Sequence, residues 1–242
     1  MGTLFIVPTP LGNLEDITIR AIKTLFGVDG IACEDTRKTG MLLKELAKRY
    51  PEFAITQTGE RFQRLLSLYE ENEIRRIPEV ITALKNDLNI AIVSDAGTPL
   101  ISDPGYRLIN ECLKEGIKIE SLPGPSSVTL AMTLSGLPTD KFLFLGYPPR
   151  KGGNRMRFFE NAKAAQSDIA STMVIFEAPH RLLTTLEELQ SVFGDIHIVI
   201  CREMTKMFEE IRREKLSQSL EHFKKTAPKG EFVLVINTHL SE

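Results

Sequence analysis

The chain has 242 residues, 42% of them hydrophobic, with 30 lysines and arginines against 32 aspartates and glutamates, a formal net charge of −2. That length sustains a core without covalent staples. The balanced charge excludes a global field that would draw the whole chain onto nucleic acid, and leaves only local basic patches.

Cys33, Cys112 and Cys201 are odd in number and far apart. That pattern fits neither a disulfide framework nor a zinc site; it indicates a reducing compartment and no metal. No apolar run approaches the roughly 18–20 residues of a membrane span. The N-terminal MGTLFI has neither a basic n-region nor the Ser or Thr of a myristoylation signal. The expectation is a soluble, cytoplasmic protein with no membrane partner.

In chain order, short β-branched runs at 4–7, 89–93, 173–176, 196–200 and 232–236 predict strands buried on both faces. Helical patterns separate them. Asp103 reads as the cap of a helix begun by Pro104, with Leu108, Ile109, Cys112 and Leu113 inward and Gly116 ending it. Pro179 opens another, whose face is Leu182, Leu183, Leu186, Leu189, Val192 and Phe193, closed by Gly194. Strands alternating with helices predict an α/β fold. The stiff LPGP at 122–125 is the best boundary, giving lobes 1–121 and 122–242. The polar stretch 149–157 reads as an exposed mobile loop.

Four Gly/Pro segments follow predicted strands, where α/β folds place their ligands. VPTPLGNLED at 7–16 holds too many prolines for a phosphate cradle, because each removes an N–H that would face the anion. It offers carbonyl oxygens, which suit a cationic or donor-rich ligand; the alternative is a tight strand-to-helix turn. VSDAGTPLISDPG at 93–105 sets Asp95 directly after a strand, beside small residues that allow close approach. PGPSS at 123–127 leads into a small-residue helix for which Ser126 or Ser127 is a natural cap. EAPHR at 177–181 ends a strand with charge and imidazole, open to a capping or inter-lobe salt-bridge role for Glu177 and Arg181. Two charged clusters, CEDTR at 33–37 and REMTK at 202–206, lie at strand ends, as chemistry or as solvated edges. Arg150, Lys151, Arg155 and Arg157 place four cations without an acid in one short stretch, the minimum for holding phosphodiesters or simply a solvated surface.

These segments together with FLGYPPRKG at 144–152 and KGEFVLVI at 229–236 resemble the tetrapyrrole methylase superfamily of S-adenosylmethionine-dependent methyltransferases. Within it they are most similar to the branch that 2′-O-methylates a cytidine of small-subunit (16S) ribosomal RNA. The resemblance runs from residue 7 to residue 236. It implies two α/β lobes with the cofactor in the cleft between them, and a homodimer. By motif, the cofactor contacts become Pro10, Leu11, Asp95, Ala96, Gly97, Thr98, Ser126, Ser127, Phe176, Glu177, Gly230, Glu231 and Phe232.

Catalytic candidates are Glu34, Asp35, Arg37, Glu203 and Lys206, the lysine serving as base if desolvation lowers its pKa, with Glu203 orienting it. Arg150, Lys151, Arg155 and Arg157 become the RNA contacts, and the partner is ribosomal RNA or the assembled 30S subunit. Rival readings change the acceptor to a tetrapyrrole or a protein side chain, or make the protein a non-catalytic assembly factor that binds cofactor or RNA. Members of the branch often carry a further C-terminal segment, whereas the sequence given ends with THLSE at 238–242. If that segment helps to engage RNA, binding the target well is expected to need a partner or an assembled ribosomal subunit.

Overall fold

Tetrads such as IAIV have no polar face to offer solvent, so they belong at the centre of a covered sheet. The computed structural model, which describes residues 1–54 and 64–238, places them there. The chain divides into two compact units, Met1–Ser126 and Ser127–Glu242. The end of the sequence, 239–242, lies outside the described residues.

The first unit runs β1 (Thr3–Ile6), α1 (Ile19–Gly27), β2 (Gly30–Cys33), α2 (Thr36–Arg49), α3 (Pro51–Ala54), β3 (Arg64–Ser67), α4 (Glu73–Lys85), β4 (Ile90–Val93), α5 (Tyr106–Lys114) and β5 (Lys118–Ser121). Among the described residues its sheet has five strands in the order β3-β2-β4-β1-β5, every pairing parallel. Leu4, Ile6, Ile90 and Ile92 pack on Val80, Leu84, Leu108 and Cys112 of α4 and α5. Val7, Ile31, Ala91 and Val93 pack on Ile22, Leu25 and Leu46 of α1 and α2. Both faces are thus covered, as an all-parallel sheet requires.

The second unit runs α6 (Ser127–Ser135), β6 (Phe142–Phe144), α7 (Gly152–Ile169), β7 (Thr172–Glu177), α8 (Leu182–Phe193), β8 (His197–Arg202), β9 (Glu210–Lys215), α9 (Leu216–Lys225) and β10 (Phe232–Ile236). Its strand order is β6-β7-β10-β8-β9, parallel only between β6 and β7. One face holds Phe159, Leu186, Leu189, Leu220 and Phe223 from α7, α8 and α9. The other holds Val128, Ala131 and Met132 from α6. All three cysteines are free and buried. Among the described residues no helix is long and apolar enough to cross a membrane.

Three expectations are corrected. The helix predicted from Pro104 under an Asp103 cap begins instead at Tyr106. Its orphan donors are satisfied from a distance: Glu73 Oε1, buried in α4, accepts the main-chain N–H groups of Gly105 (3.2 Å), Arg107 (3.1 Å) and Leu108 (3.4 Å). Leu113, expected inward, is exposed. The stretch 149–157, expected to be a mobile loop, becomes helical from Gly152. Gly152, Gly153 and Asn154 are weak helix formers. Burial of Phe159 and of Arg155 against α8 overrides that propensity.

Candidate functional site

The strand order of the first unit brings its motifs together. β2, β4 and β1 are adjacent and parallel, so the segments that leave their carboxyl ends emerge side by side, where open α/β sheets bind ligands. Thr9 N donates to Gly97 O (2.9 Å) and Gly97 N to Thr9 O (3.0 Å), while Thr9 Oγ1 donates to Ser94 O (3.1 Å). Gly97 sits at φ +78°, and a Cβ there would stand 3.0 Å from Leu11 Cδ2. The third segment joins the same cluster: Leu122 N donates to Ile6 O (3.0 Å) and Thr98 Oγ1 to Pro125 O (2.8 Å). Leu100 and Ser102 hold φ of +74° and +68°, strain of a kind that concentrates at functional sites.

Thr9, Pro10, Leu11, Leu14, Lys38 and Asp95 are among the walls of a pocket of about 230 Å³. A pocket engulfing a drug-sized ligand measures roughly 300–1,000 Å³, so this one takes only one end of such a molecule. Lys38 Nζ reaches Asp95 Oδ2 at 2.7 Å across it. Glu34 is half-buried beside them. Burial pushes its carboxyl up to about 7, with help from Asp103 and Asp95 and against the Asp95 main-chain N–H and Lys38. Asp35 serves the fold. It caps α2 by accepting Arg37 N (2.8 Å) and also binds Arg37 Nε (3.1 Å) and Nη2 (2.8 Å). The Arg37 hydrogen bonds hold Asp35 well below the usual carboxylate range.

In the second unit, register does the same work. Phe232 pairs with Glu177 on one side and Arg202 on the other, so the end of β7, the start of β10 and the end of β8 form one row. Phe176 N donates to Gly146 O (3.0 Å), which adds the turn after β6 to that row. The Phe176 ring meets Phe144 and Tyr147 edge-on, with centroids 4.9 and 5.5 Å away. Glu177 is buried: its carboxylate accepts Ala178 N (2.8 Å) and the Thr185 hydroxyl and pairs with Arg181 Nε (3.2 Å). Arg181 also donates to Pro148 O (2.6 Å). Of the two roles left open for Glu177 and Arg181, the pair is made within one unit.

Glu203, Lys206 and Glu231 form a second cluster. Glu203 Oε1 accepts Lys206 Nζ (3.1 Å) and Glu231 N (2.9 Å), and Lys206 Nζ reaches Glu231 Oε2 (2.9 Å). Gly230, at φ +91°, lets the chain pass there; a Cβ would come within 2.5 Å of Glu203 Cγ. The expected lowering of the Lys206 pKa is overturned. Burial does pull it down, but hydrogen bonds and charge from Glu231 and Glu203 outweigh that and raise it, so Lys206 remains an ammonium. Burial likewise pushes Glu203 up, and the Glu231 N–H and Lys206 bring it below its ordinary value.

The four cations separate. Arg150, Lys151 and Arg157 are exposed, Lys151 at the cap of α7. The Arg155 side chain is only 7% exposed and clamps Glu188 of α8, with Nη2 to Oε1 at 2.7 Å and a second bond from Nε. Sequence reasoning passed over Lys38, in the first turn of α2, and also Met207 and Phe208, exposed by 90% and 67% just after REMTK. Among the described residues no group of His, Cys, Asp and Glu is arranged to hold a metal ion.

Solved structures share this α/β fold. The chain aligns with the crystal structure of diphthine synthase at a TM-score of 0.71 and 17% identity, covering 100% of this chain and 92% of that one. It aligns with uroporphyrin-III-C-methyltransferase from Thermus thermophilus at 0.63 and 17%, covering 97% and 94%. The family model for tetrapyrrole (corrin/porphyrin) methylases matches residues 3–219, and the chain belongs to that family. It is 46% identical to ribosomal RNA small subunit methyltransferase I of Thermotoga maritima over 98% of this chain and 99% of the relative. Its identity to the protein of the same name from Escherichia coli O157:H7 is 40%, over 100% of this chain and 79% of the relative.

Proposed function

We propose that the protein transfers a methyl group from S-adenosylmethionine to the ribose 2′-hydroxyl of a cytidine in small-subunit ribosomal RNA, releasing S-adenosylhomocysteine. The observation that carries this reading is the pocket where the segments after β1, β2 and β4 meet, edged by Pro10, Leu11 and Asp95. Its chemistry fits the cofactor. Pro10 has no N–H to offer and leaves its carbonyl oxygen as an acceptor for a cationic sulfur, and the Asp95 carboxylate, which Lys38 Nζ also binds at 2.7 Å, is a second acceptor on the wall. Pro10, Leu11, Asp95, Ala96, Gly97, Thr98 and Ser126 hold the cofactor from the first unit. Ser127, Phe176, Glu177, Gly230, Glu231 and Phe232 are the remaining contacts that the family motifs imply.

Bound there, S-adenosylmethionine supplies an electrophilic methyl group. Alignment of the two reactants is the main demand, and can supply roughly 7–11 kcal/mol. Glu34, its carboxyl raised to about 7, takes the proton leaving the 2′-hydroxyl. Lys206, flanked by Glu203 and Glu231, is a fixed cation rather than a base. Asp35 and Arg37 set the start of α2 and so the position of Glu34 and Lys38. Arg150, Lys151 and Arg157 contact phosphates, which fixes register on the strand without reading its sequence. The reading includes a homodimer and the assembled 30S subunit as substrate.

The test supplies cofactor with a labelled methyl group, with either naked small-subunit rRNA or 30S particles, and locates the label. Label on a cytidine 2′-oxygen is expected. Cofactor uptake without transfer to either acceptor overturns the reading in favour of a non-catalytic assembly factor.

A further inference from the structure

The segment between β8 and β9 is unusually fixed for one that faces water. Glu203 N donates to Glu231 O (3.0 Å), Lys206 N to Glu203 O (3.0 Å), Glu209 N to Lys206 O (3.1 Å) and Thr205 N to Glu209 Oε2 (2.5 Å). Met204 anchors it from below, buried with Val199 and Val233. Two residues are held left-handed without being glycine, Glu203 at φ +48° and Thr205 at +65°. Such strain persists only where its surroundings over-determine it. What this braced turn displays is Met207 and Phe208, exposed by 90% and 67%.

Hydrophobic burial would draw these side chains inward, and a flexible turn would let them go. The bracing keeps them out. Two side chains between Lys206 and Glu209 fall far short of the roughly 800 Å² per partner that a stable protein interface needs, so a second copy of the chain is a poor occupant. A single planar group is the right size. An aromatic ring on a rigid support is how proteins engage unpaired bases, whose π-faces stack whatever their identity. The turn also continues directly from the Glu203–Lys206–Glu231 cluster, with the exposed Lys229 beside it through the bond from Arg202 Nε to Lys229 O (2.7 Å).

We propose that Phe208, seconded by Met207, is a stacking platform for an unpaired nucleobase of the RNA substrate and thereby positions the strand for methyl transfer. The proposal rests on the reading of the protein as an RNA methyltransferase and adds to it a positioning residue.

The chain contains no tryptophan, so Phe208→Trp makes a single fluorescent reporter at the site. Titration of that variant with small-subunit rRNA fragments and with 30S particles is expected to quench its emission. Phe208→Ala is expected to raise the KM for RNA about 5- to 160-fold, with cofactor affinity by calorimetry unaltered, and Phe208→Tyr to restore it. RNA retained on a filter by the tryptophan variant with unchanged emission, alongside an unchanged KM in Phe208→Ala, overturns the proposal. So does emission that responds to protein concentration together with a sedimentation shift, which would make the turn a contact between copies. Failure of the unsubstituted chain to bind or methylate RNA is read in the same assays without any substitution; it removes the underlying reading, and the stacking role with it.

Discussion

Thr9 and Gly97 are joined by both of their main-chain hydrogen bonds, at 2.9 and 3.0 Å. The link ties the proline-rich segment after β1 to the segment after β4, and both segments line the pocket, through Thr9 and Asp95 among others. Gly97→Ala puts a Cβ at φ +78°, 3.0 Å from Leu11. The left-handed conformation alone disfavours alanine by about 1–2 kcal/mol. Chemical denaturation should show a loss of that size, and calorimetry should show weakened cofactor uptake. An alanine variant with full affinity would place the cofactor elsewhere.

Glu34 gives the protein a pH signature. Its carboxyl is raised from 4.5 to about 7, so between those values the folded state keeps a proton that the unfolded chain releases. This contribution to stability is fully present below about 4.5 and is lost as the pH rises through about 7. Glu34→Gln should therefore gain in unfolding midpoint relative to the parent as the pH rises through that window. Methyl transfer by the parent should rise through an inflection near pH 7 and level off about one pH unit above it, and the glutamine variant should be slow and flat. A parent profile with no inflection near 7 would separate Glu34 from the proton transfer.

The cations of 150–157 should divide by experiment as they do in the structure. Breaking a fully buried pair by removing one partner costs about 3–5 kcal/mol; Arg155 and Glu188, their side chains 7% and 17% exposed, are a partly buried pair and should cost less. Arg155→Ala should lower the unfolding midpoint. Neutralising Arg150, Lys151 and Arg157 together should leave that midpoint in place and weaken RNA binding. It should also flatten the salt dependence by roughly 0.7–0.9 in log–log slope for each phosphate that is no longer neutralised. Equal loss of cofactor affinity would assign these side chains to the other ligand.

Lys206 distinguishes a base from a fixed charge. Arginine is never deprotonated in proteins, so a lysine base could not survive the exchange. Because Glu203 and Glu231 keep Lys206 charged, Lys206→Arg should retain most methyl transfer, while Lys206→Gln should lose it. An inactive arginine variant whose unfolding midpoint matches the parent would revive the base.

What the sequence makes legible are features written in one stretch of chain. The runs at 4–7, 89–93 and 232–236 carry no polar residue apart from Asn89 at the start of one, and each supplies an interior strand. β9 escapes such a reading because EIRREK is charged, yet its period of two is a strand signal: Glu210, Arg212 and Glu214 share a face, with Arg212 paired to both neighbours at 3.0 and 2.6 Å. Other features are set by distant partners and carry no local mark. The cap of α5 comes from Glu73 on α4, not from the adjacent Asp103. The charge state of Lys206 depends on Glu231, which arrives from the far side of α9. Arg155 resembles its cationic neighbours in sequence, and only Glu188 removes it from the surface.

β10 is the final strand along the described chain, yet it lies at the middle of the second sheet, bonded to β7 on one side and β8 on the other. The first sheet is complete once Ser121 is in place; the second has a gap at its centre until residues 232–236 fill it. During vectorial synthesis, the amino-terminal half can therefore condense early, whereas β7 and β8 wait with unsatisfied edges for their shared neighbour. Nonsense truncation upstream of Phe232 would release a chain with one finished half and one aggregation-prone half.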